Sequence, residues 1–413
     1  MWHTMRTAVV SIADQRTAAV AAGSAGSSDA VLAELSSQLF GSLPRSDQRR
    51  NGSQYLEGLL SVEGRKSIRN IASAFGIQAN EQSLHHFINS STWDWRSVRQ
   101  ALCRYLLRTA PPQAWVLSPM ITPMTGQQTV GVQRRFVPAM GQLVNVQHAI
   151  GVWAGSERMC SPISWRLHLP EEWLADPARR RKASIPDDIA AESLEACMVR
   201  AMLELAGWQL PVRPVVFDAR ALDAAQVVLP LAAARRPLLA RVDDDVPLLS
   251  VESLTRGGTA RPLRASQILS GVQNMRRLVA WSDDGTPEAK RASLFTAVRV
   301  RMLTSRPQSG GGEGRVAAGG ELMLLGVGQP GRQWPAQCWL TNLSGAAPGA
   351  LLQLGRMVDR VAWSATAIGD EVGIRDFRGR SFGGWHRHVT LASAAHAVTA
   401  LAQRTPDRAS NVS

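Results

Sequence analysis

Between Ala114 and Pro170, apolar residues alternate along four segments, "AWVL", "TVGVQRRF", "VNVQHAIGVWAG" and "SPISWRLHLP", which Gly and Pro divide. A period of two with turn residues between segments predicts strands joined as a meander. The period then changes. "AAESLEACMVRAMLELAGW" reads as a helix closing at Gly207, and "PVRPVVFDARAL" as a buried strand that delivers Asp218 at its C-terminal end. Another helix and the strand "PLLARVDDD" follow. Hairpins succeeded by αβ units restrict this region to a mixed α/β sheet covered by helices.

The flanks differ in texture. Residues 1–50 are rich in Ala, Ser and Gly and read as a flexible tail. Residues 51–110 read as a helical N-terminal domain, with apolar residues at three and four spacing in "QYLEGLLSV" and "SIRNIASAFGI". There "STWD" starts a long amphipathic helix. The core runs over 111–245. Residues 246–320 form an insertion that ends in the Gly-rich loop "SRPQSGGGEGRVAAGG", where flexibility is expected. Residues 321–402 bring two further strands, the helix "GALLQLGRMVDRVAWSATAIGDEVGI" and the final helix "VTLASAAHAVTALAQR", with a polar tail over 403–413.

With 413 residues and 45% hydrophobic content, the chain has enough apolar surface for more than one core. No apolar run reaches the ~18 residues that a membrane helix needs, so no membrane partner is expected. The four cysteines, Cys103, Cys160, Cys197 and Cys338, lack CxxC spacing. That argues against a zinc ribbon and a disulfide framework and suggests a reducing cytoplasm. The formal charge is +13, and nearly all the excess is Arg. Guanidinium groups fork phosphates, so DNA is the expected partner and the nucleoid the expected location. Compositional bias enriches Arg and Ala together, so the charge by itself does not decide this.

Longer stretches are more specific. "YLEGLLSVEGRKSIRNIA", "WDWRSVRQALCRYL", "VGVQRRFVPAMGQLVNVQHAIGVW", "WRLHLPEEWLADPARRRKASIP" and "RGRSFGGWHRHVTLASAAHA" occur in order from about Arg50 to Ala400. In them the chain resembles DDE transposases of the insertion-sequence 701 group. The resemblance implies an RNase H-like α/β fold, a mixed sheet flanked by helices, with a helical N-terminal domain and an inserted subdomain. It also implies an enzyme that cuts and rejoins DNA with two divalent metals, Mg²⁺ or Mn²⁺, held by three carboxylates. Hard cations require oxygen ligands, and a metal pair ~3.5–4 Å apart stabilises both the attacking and the leaving oxygen.

The carboxylates that the resemblance calls for are mostly missing. Where the family ends its first strand in Asp-Asp and continues through Thr-Gly to a Lys-Lys-Gly turn, this chain has Ser118, Pro119, Met120 and Ile121, then Met124, Thr125 and Gly126. A neutral hydroxyl does not replace a carboxylate, and Pro119 removes a backbone donor. Asp218 occupies the second position, but the following Glu, apolar residue, Tyr and Gly are replaced by Ala219, Arg220, Ala221 and Leu222. Arg220 brings a cation to a metal position. The third motif, Arg-Trp-x-Ile-Glu-Glu, falls on Arg360–Thr366, where Ser364 stands and no acid occurs. Asp359 and Glu371 flank this window as displaced acids, and Glu371 also matches a separate downstream family Glu. One matched carboxylate among three implies no bound metal and no cofactor.

Among the other candidates, Arg134 and Arg135 lie on opposite faces of one strand. Arg179, Arg180 and Arg181 form a basic run in the loop "DPARRRK". Arg380, Arg387 and His388 make a basic patch around "WHRH", with Trp385 either stacking or capping the core. All are candidate phosphate contacts. His85 and His86 are adjacent on a helix and diverge. Asp243, Asp244 and Asp245 alternate sides and suit a turn better than a metal. The expected function is therefore a transposase-like, catalytically inactive DNA-binding protein, either a domesticated regulator or a neutral remnant. An active endonuclease using Asp218 with Asp359 or Glu371 is the first alternative. A protein-interaction remnant, its cleft filled by Pro119, Met120 and Met124, is the second. A homodimer is one option for its assembly.

Overall fold

The computed structural model describes residues 28–76, 80–137, 141–252, 261–282, 290–307 and 313–403. Two compact units share the chain. The first comprises the segment ending at Ala110, Arg158–Ile163 and the segment from Ser364 onward; the second comprises Pro111–Glu157 and Ser164–Trp363.

The first unit is helical. Helix α1 spans residues 28–40, followed by α2 (Ser46–Ser61), α3 (Ile68–Ala74), α4 (Glu81–Asn89) and α5 (Trp95–Thr109). Side-chain caps set several starts. Asn80 accepts from the Gln82 amide at α4, and Asp94 accepts from the Arg96 and Ser97 amides at α5, where the sequence places a cap. Helix α1 shortens the tail expected through residue 50. Leu35, Leu39, Phe40 and Leu43 are buried at helical spacing, a pattern masked by the surrounding Ala and Ser. The expected tails over 1–27 and 404–413 lie outside the described residues.

The last helix of this unit, Phe382–Ala402, is buried along almost its whole length and packs against α2, α4 and α5. It starts seven residues before the expected "VTLASAAHA" segment, with Ser381 as its cap. Its Ala-rich faces allow close approach from several sides, so no single apolar stripe announces it.

Twelve strands among the described residues form one mixed sheet. These are β1 (Ala114–Met124), β2 (Val132–Val137), β3 (Gln142–Gly155), β4 (Cys160–Leu167), β5 (Val215–Asp218), β6 (Leu238–Val242), β7 (Pro247–Ser250), β8 (Leu263–Arg264), β9 (Arg277–Ser282), β10 (Lys290–Pro307), β11 (Glu313–Gly328) and β12 (Gln337–Thr341). Their order is β2-β3-β1-β5-β6-β12-β11-β10-β7-β8, with β4 on β3 and β9 on β10. The pairs β1–β5 and β5–β6 are parallel. Parallel neighbours require crossovers, and the helices Leu194–Leu203, before β5, and Ala224–Ala233, between β5 and β6, supply them. This is the expected RNase H-like arrangement.

Two local expectations change. The Ser-Pro-Met stretch does not end the first strand: β1 continues to Met124, with Ser118 opposite Gly151 and Pro119 opposite Ile150 on β3. Its pairing with β5 stops at Leu117, so Pro119 falls where β5 no longer pairs. The basic insertion is also more regular than expected. β10 and β11 pair from Leu294–Gly328 out to Pro307–Glu313, and only residues 308–312 of the Gly-rich stretch lie outside the described residues. Val298, Val300 and Met302 are buried on alternate positions of β10, between arginines that obscure the pattern.

Candidate active site

Parallel strands β5 and β6 end side by side at Asp218 and just before Asp243, and Ser118 lies on β1 one residue past its last pairing with β5. Asp218 is paired in register with Arg241, and Leu117 with Phe217, so Ser118 continues the row beside Asp218. Helix α6 (Pro348–Ala367) brings Arg356 and Asp359 to the same group.

Asp218 is fully engaged. Its Oδ1 accepts from the Arg220 backbone amide at 3.0 Å and from Arg220 Nε at 3.0 Å, and its Oδ2 accepts from Nε at 3.1 Å and Nη2 at 2.7 Å. The bond to Asp218, together with the charges of Asp218, Asp243 and Asp359, raises the Arg220 pKa against the opposing effect of burial. Asp359 accepts from Arg356 Nη1 at 3.0 Å and lies 3.7 Å from Arg241 Nη1. Asp243 has its pKa raised, first by burial and then by the charge of Asp245, while Arg220 opposes the rise. Asp218, Asp243 and Asp359 thus share one neighbourhood with Arg220, Arg241 and Arg356.

This arrangement does not fit the metal pair that the resemblance implies. Ser118 is neutral, and both Asp218 oxygens face a guanidinium instead of an open coordination position. Among the described residues, no three Asp, Glu, His or Cys side chains converge closely enough to hold a metal ion.

The other expected acids separate. Glu371 belongs to the helical unit, where its charge acts on Lys66. Ser364 is buried there, with Oγ 3.0 Å from His396 Nε2 and 3.4 Å from the Cys160 carbonyl. Asp359, five residues earlier, is therefore the acid of this helix that reaches the strand ends. Sequence reasoning set Asp243 aside as part of a turn. It does lead into the β6–β7 turn, but parallel pairing of β5 and β6 also brings it near Arg220. Arg241 and Arg356 carried no local signal, because strand pairing sets Arg241 opposite Asp218 and both arginines meet only through Asp359 on α6.

The candidate DNA contacts divide in the same way. Arg134 and Arg135 are exposed on edge strand β2. The "DPARRRK" run forms the helix Pro177–Ala183, capped by Asp176, and not the expected loop. Arg181 is exposed. Arg179 lies 3.9 Å over the Trp173 ring, and Arg180 donates to the carbonyls of Pro186 and Ile189. Arg380 is exposed, but Arg387 and His388 are buried and leave the proposed basic patch. Arg387 Nη1 donates to the Ile88 carbonyl at 3.0 Å. His388 lies 2.9 Å from Tyr55 Oη through Nδ1 and 2.8 Å from the Gly373 carbonyl through Nε2. Both fasten the last helix inside its own unit. Trp385 is buried there too. The filled-cleft reading changes likewise: Met120 and Met124 are buried, but Pro119 is exposed.

A family model described as "DDE superfamily endonuclease" matches residues 38–292. A probable transposase for insertion sequence element IS701 from Microchaete diplosiphon is 27% identical over 119 residues. That alignment covers 28% of this chain and 31% of the relative, so the chain spans about a third of that protein's length. No described helix is long and apolar enough to cross a membrane. The match over residues 38–292, on a mixed sheet with Asp218 at a central strand end, places this chain in the DDE superfamily of endonucleases.

Proposed function

We propose that this chain is a DNA-binding protein of transposase descent that no longer cuts or joins DNA. The observation that carries the proposal is the capture of both Asp218 oxygens by Arg220. A metal-dependent strand transfer needs those oxygens on a cation that also holds the reacting phosphate. Arg220 occupies both oxygens of Asp218 and offers no Lewis-acid position.

DNA association rests on the family and on the surface charge. With +13 overall and Arg134, Arg135, Arg181 and Arg380 exposed, phosphate contacts are expected to dominate binding. Nucleoid association and a regulatory role belong to the same proposal, with a homodimer as one assembly. The test is a supercoiled-plasmid assay in Mg²⁺ and in Mn²⁺, beside a binding assay at stepped salt. The expected result is retention of DNA without nicking. Nicking that Asp218→Ala abolishes would overturn the proposal. Absence of DNA retention would favour the protein-interaction reading.

One observation favours the endonuclease alternative: Asp218, Asp243 and Asp359 all act on Arg220, so displacement of that side chain would leave acids from two strands and a helix around one space. Metal-dependent nicking that appears only with a particular DNA end would select this second reading.

A further inference from the structure

Beside the carboxylate–arginine group, the second unit holds a cavity of about 490 Å³ between α6 and strands β9 to β12. Arg356 and Asp359 belong to both. Its lining mixes apolar and polar residues, with Trp281 and Trp339 among the aromatic ones and Arg291, Arg332 and Arg356 among the charged ones.

Each wall has a local cause. The Trp281 indole is fixed by donation from Nε1 to Ser293 Oγ at 3.0 Å, across the β9–β10 pair that sets Trp281 opposite Arg291. The Arg291 guanidinium lies 6.0 Å from the Trp281 ring centre, in cation–π range. Gly355 lets α6 pass over Trp339, since a Cβ there would come within 3.2 Å of that ring. A bulkier residue would lift the helix and change the space beneath.

We propose that this cavity binds a free ribonucleoside phosphate. Its size lies within the ~300–1,000 Å³ of small-molecule sites and far exceeds what an inorganic oxyanion fills. Aromatic walls take a planar base, and guanidinium groups take phosphoryl oxygens bidentately. The Asp359 carboxylate at the margin accepts from ribose hydroxyls, the role an acid plays in ribonucleotide sites. A ring, a vicinal diol and an oxyanion occur together in a nucleoside phosphate. A DNA strand offers Asp359 no 2′-hydroxyl and brings further phosphates against its charge. The inference does not rest on loss of strand cutting, because it uses the cavity and not the state of Asp218.

The experiment titrates the full-length protein with AMP and ADP by calorimetry, with tryptophan fluorescence as a second readout. Adenosine, inorganic phosphate, deoxy-AMP and a single-stranded oligonucleotide serve as comparison ligands. Saturable binding of AMP or ADP is expected, with adenosine and phosphate at least ~10-fold weaker, the loss of about one charge-assisted contact set. Arg291→Ala and Arg332→Ala change exposed side chains, so folding is retained. Each is expected to weaken AMP by ~5–10-fold. Asp359→Asn is expected to reduce the preference for AMP over deoxy-AMP. Absence of saturable AMP and ADP binding overturns the proposal, as does affinity unchanged in both arginine variants. An oligonucleotide that binds the cavity more tightly than AMP, and is weakened by the same variants, also overturns it by assigning the cavity to a strand.

Discussion

Arg220 folds back on Asp218 two residues earlier, so that its backbone amide, Nε and Nη2 all donate to one carboxylate. The chelate is closed within a single turn at the end of β5 and needs no partner from elsewhere. Asp243 and Asp359 then add to the field around the same guanidinium. A strand end that collects acids is costly to assemble without a cation. Here a residue of the chain supplies that cation, so the carboxylates can cluster without a bound metal.

Removing the cation should appear first at Asp243. Its pKa is already raised by burial and by Asp245, and Arg220 holds it down. Arg220→Ala is expected to raise it further, read by carboxyl carbon NMR across a pH titration. A raised carboxylate contributes stability fully present below its unfolded value of 3.8 and lost as pH rises through the folded pKa. The variant's deficit should therefore grow over that window and reach roughly 1 kcal/mol at neutral pH, a value limited by the exposure of the ion pair. An unmoved Asp243 pKa would mean that Arg220 does not act on it.

Buried histidines set the acid limit of the fold. Burial lowers His396 in the helical unit from 6.5 to about 4, and burial lowers His148 in the sheet unit to about 4, with Arg135 adding to the effect. Neither accepts a proton readily in the folded state, whereas both do once unfolded. Stability is therefore present above pH 6.5 and lost as pH falls toward 4, on the order of 3 kcal/mol for a fully buried ring. Denaturant midpoints at pH 7 and pH 5 should differ, and His396→Gln should narrow the difference even where it lowers both values. An equal pH dependence in the variant would remove His396 as a source.

Arg387 and Arg135 allow two roles of arginine to be separated. Arg387 is buried, donates to the Ile88 carbonyl and lies 5.7 and 5.6 Å from the Trp93 and Trp95 ring centres. Arg387→Ala is expected to cost about 3 kcal/mol by leaving buried carbonyls without a donor. Arg135 is exposed on the edge strand. Arg135→Ala should leave the unfolding midpoint within about 0.5 kcal/mol and lower the salt slope of DNA binding by about 1. Thermal unfolding and DNA affinity measured on both variants check this, and the reverse pattern would return "WHRH" to the DNA surface.

The order of elements was legible because alternation and helical spacing are local. The cation beside Asp218 was legible because Arg220 follows it by two residues in the chain, whatever the fold. What the sequence hid depends on pairing between distant segments. Asp243 looked like a turn residue until β6 was set beside β5. Arg356 and Asp359 looked like one helix face among others. "WHRH" looked basic and therefore exposed, but Tyr55, Gly373 and Ile88, which satisfy it, are far away in sequence or invisible as partners there. Helix α1 was lost to composition, since its buried leucines stand among small residues typical of linkers.

The row formed by Ser118 and Asp218 permits a constructive test. β1 and β5 are parallel and in register through Leu117 and Phe217, so Ser118 and Asp218 are the next residues of the two strands beyond their last pair. Ser118→Asp alone adds a carboxylate, but Asp218 remains on Arg220. Arg220→Ala alone frees Asp218 but leaves it beside a neutral hydroxyl. Neither single variant should bind Mn²⁺ measurably. The double variant places two free carboxylates on adjacent strands, enough to anchor a hard cation that keeps several waters. Its Mn²⁺ affinity, read by electron paramagnetic resonance, is expected in the millimolar range. Equal binding by Arg220→Ala and the double variant would show that Ser118 does not adjoin the site. No binding by either would show that Asp359 stays tied to Arg241 and Arg356 once Arg220 is gone, making the remaining arginines the barrier to metal.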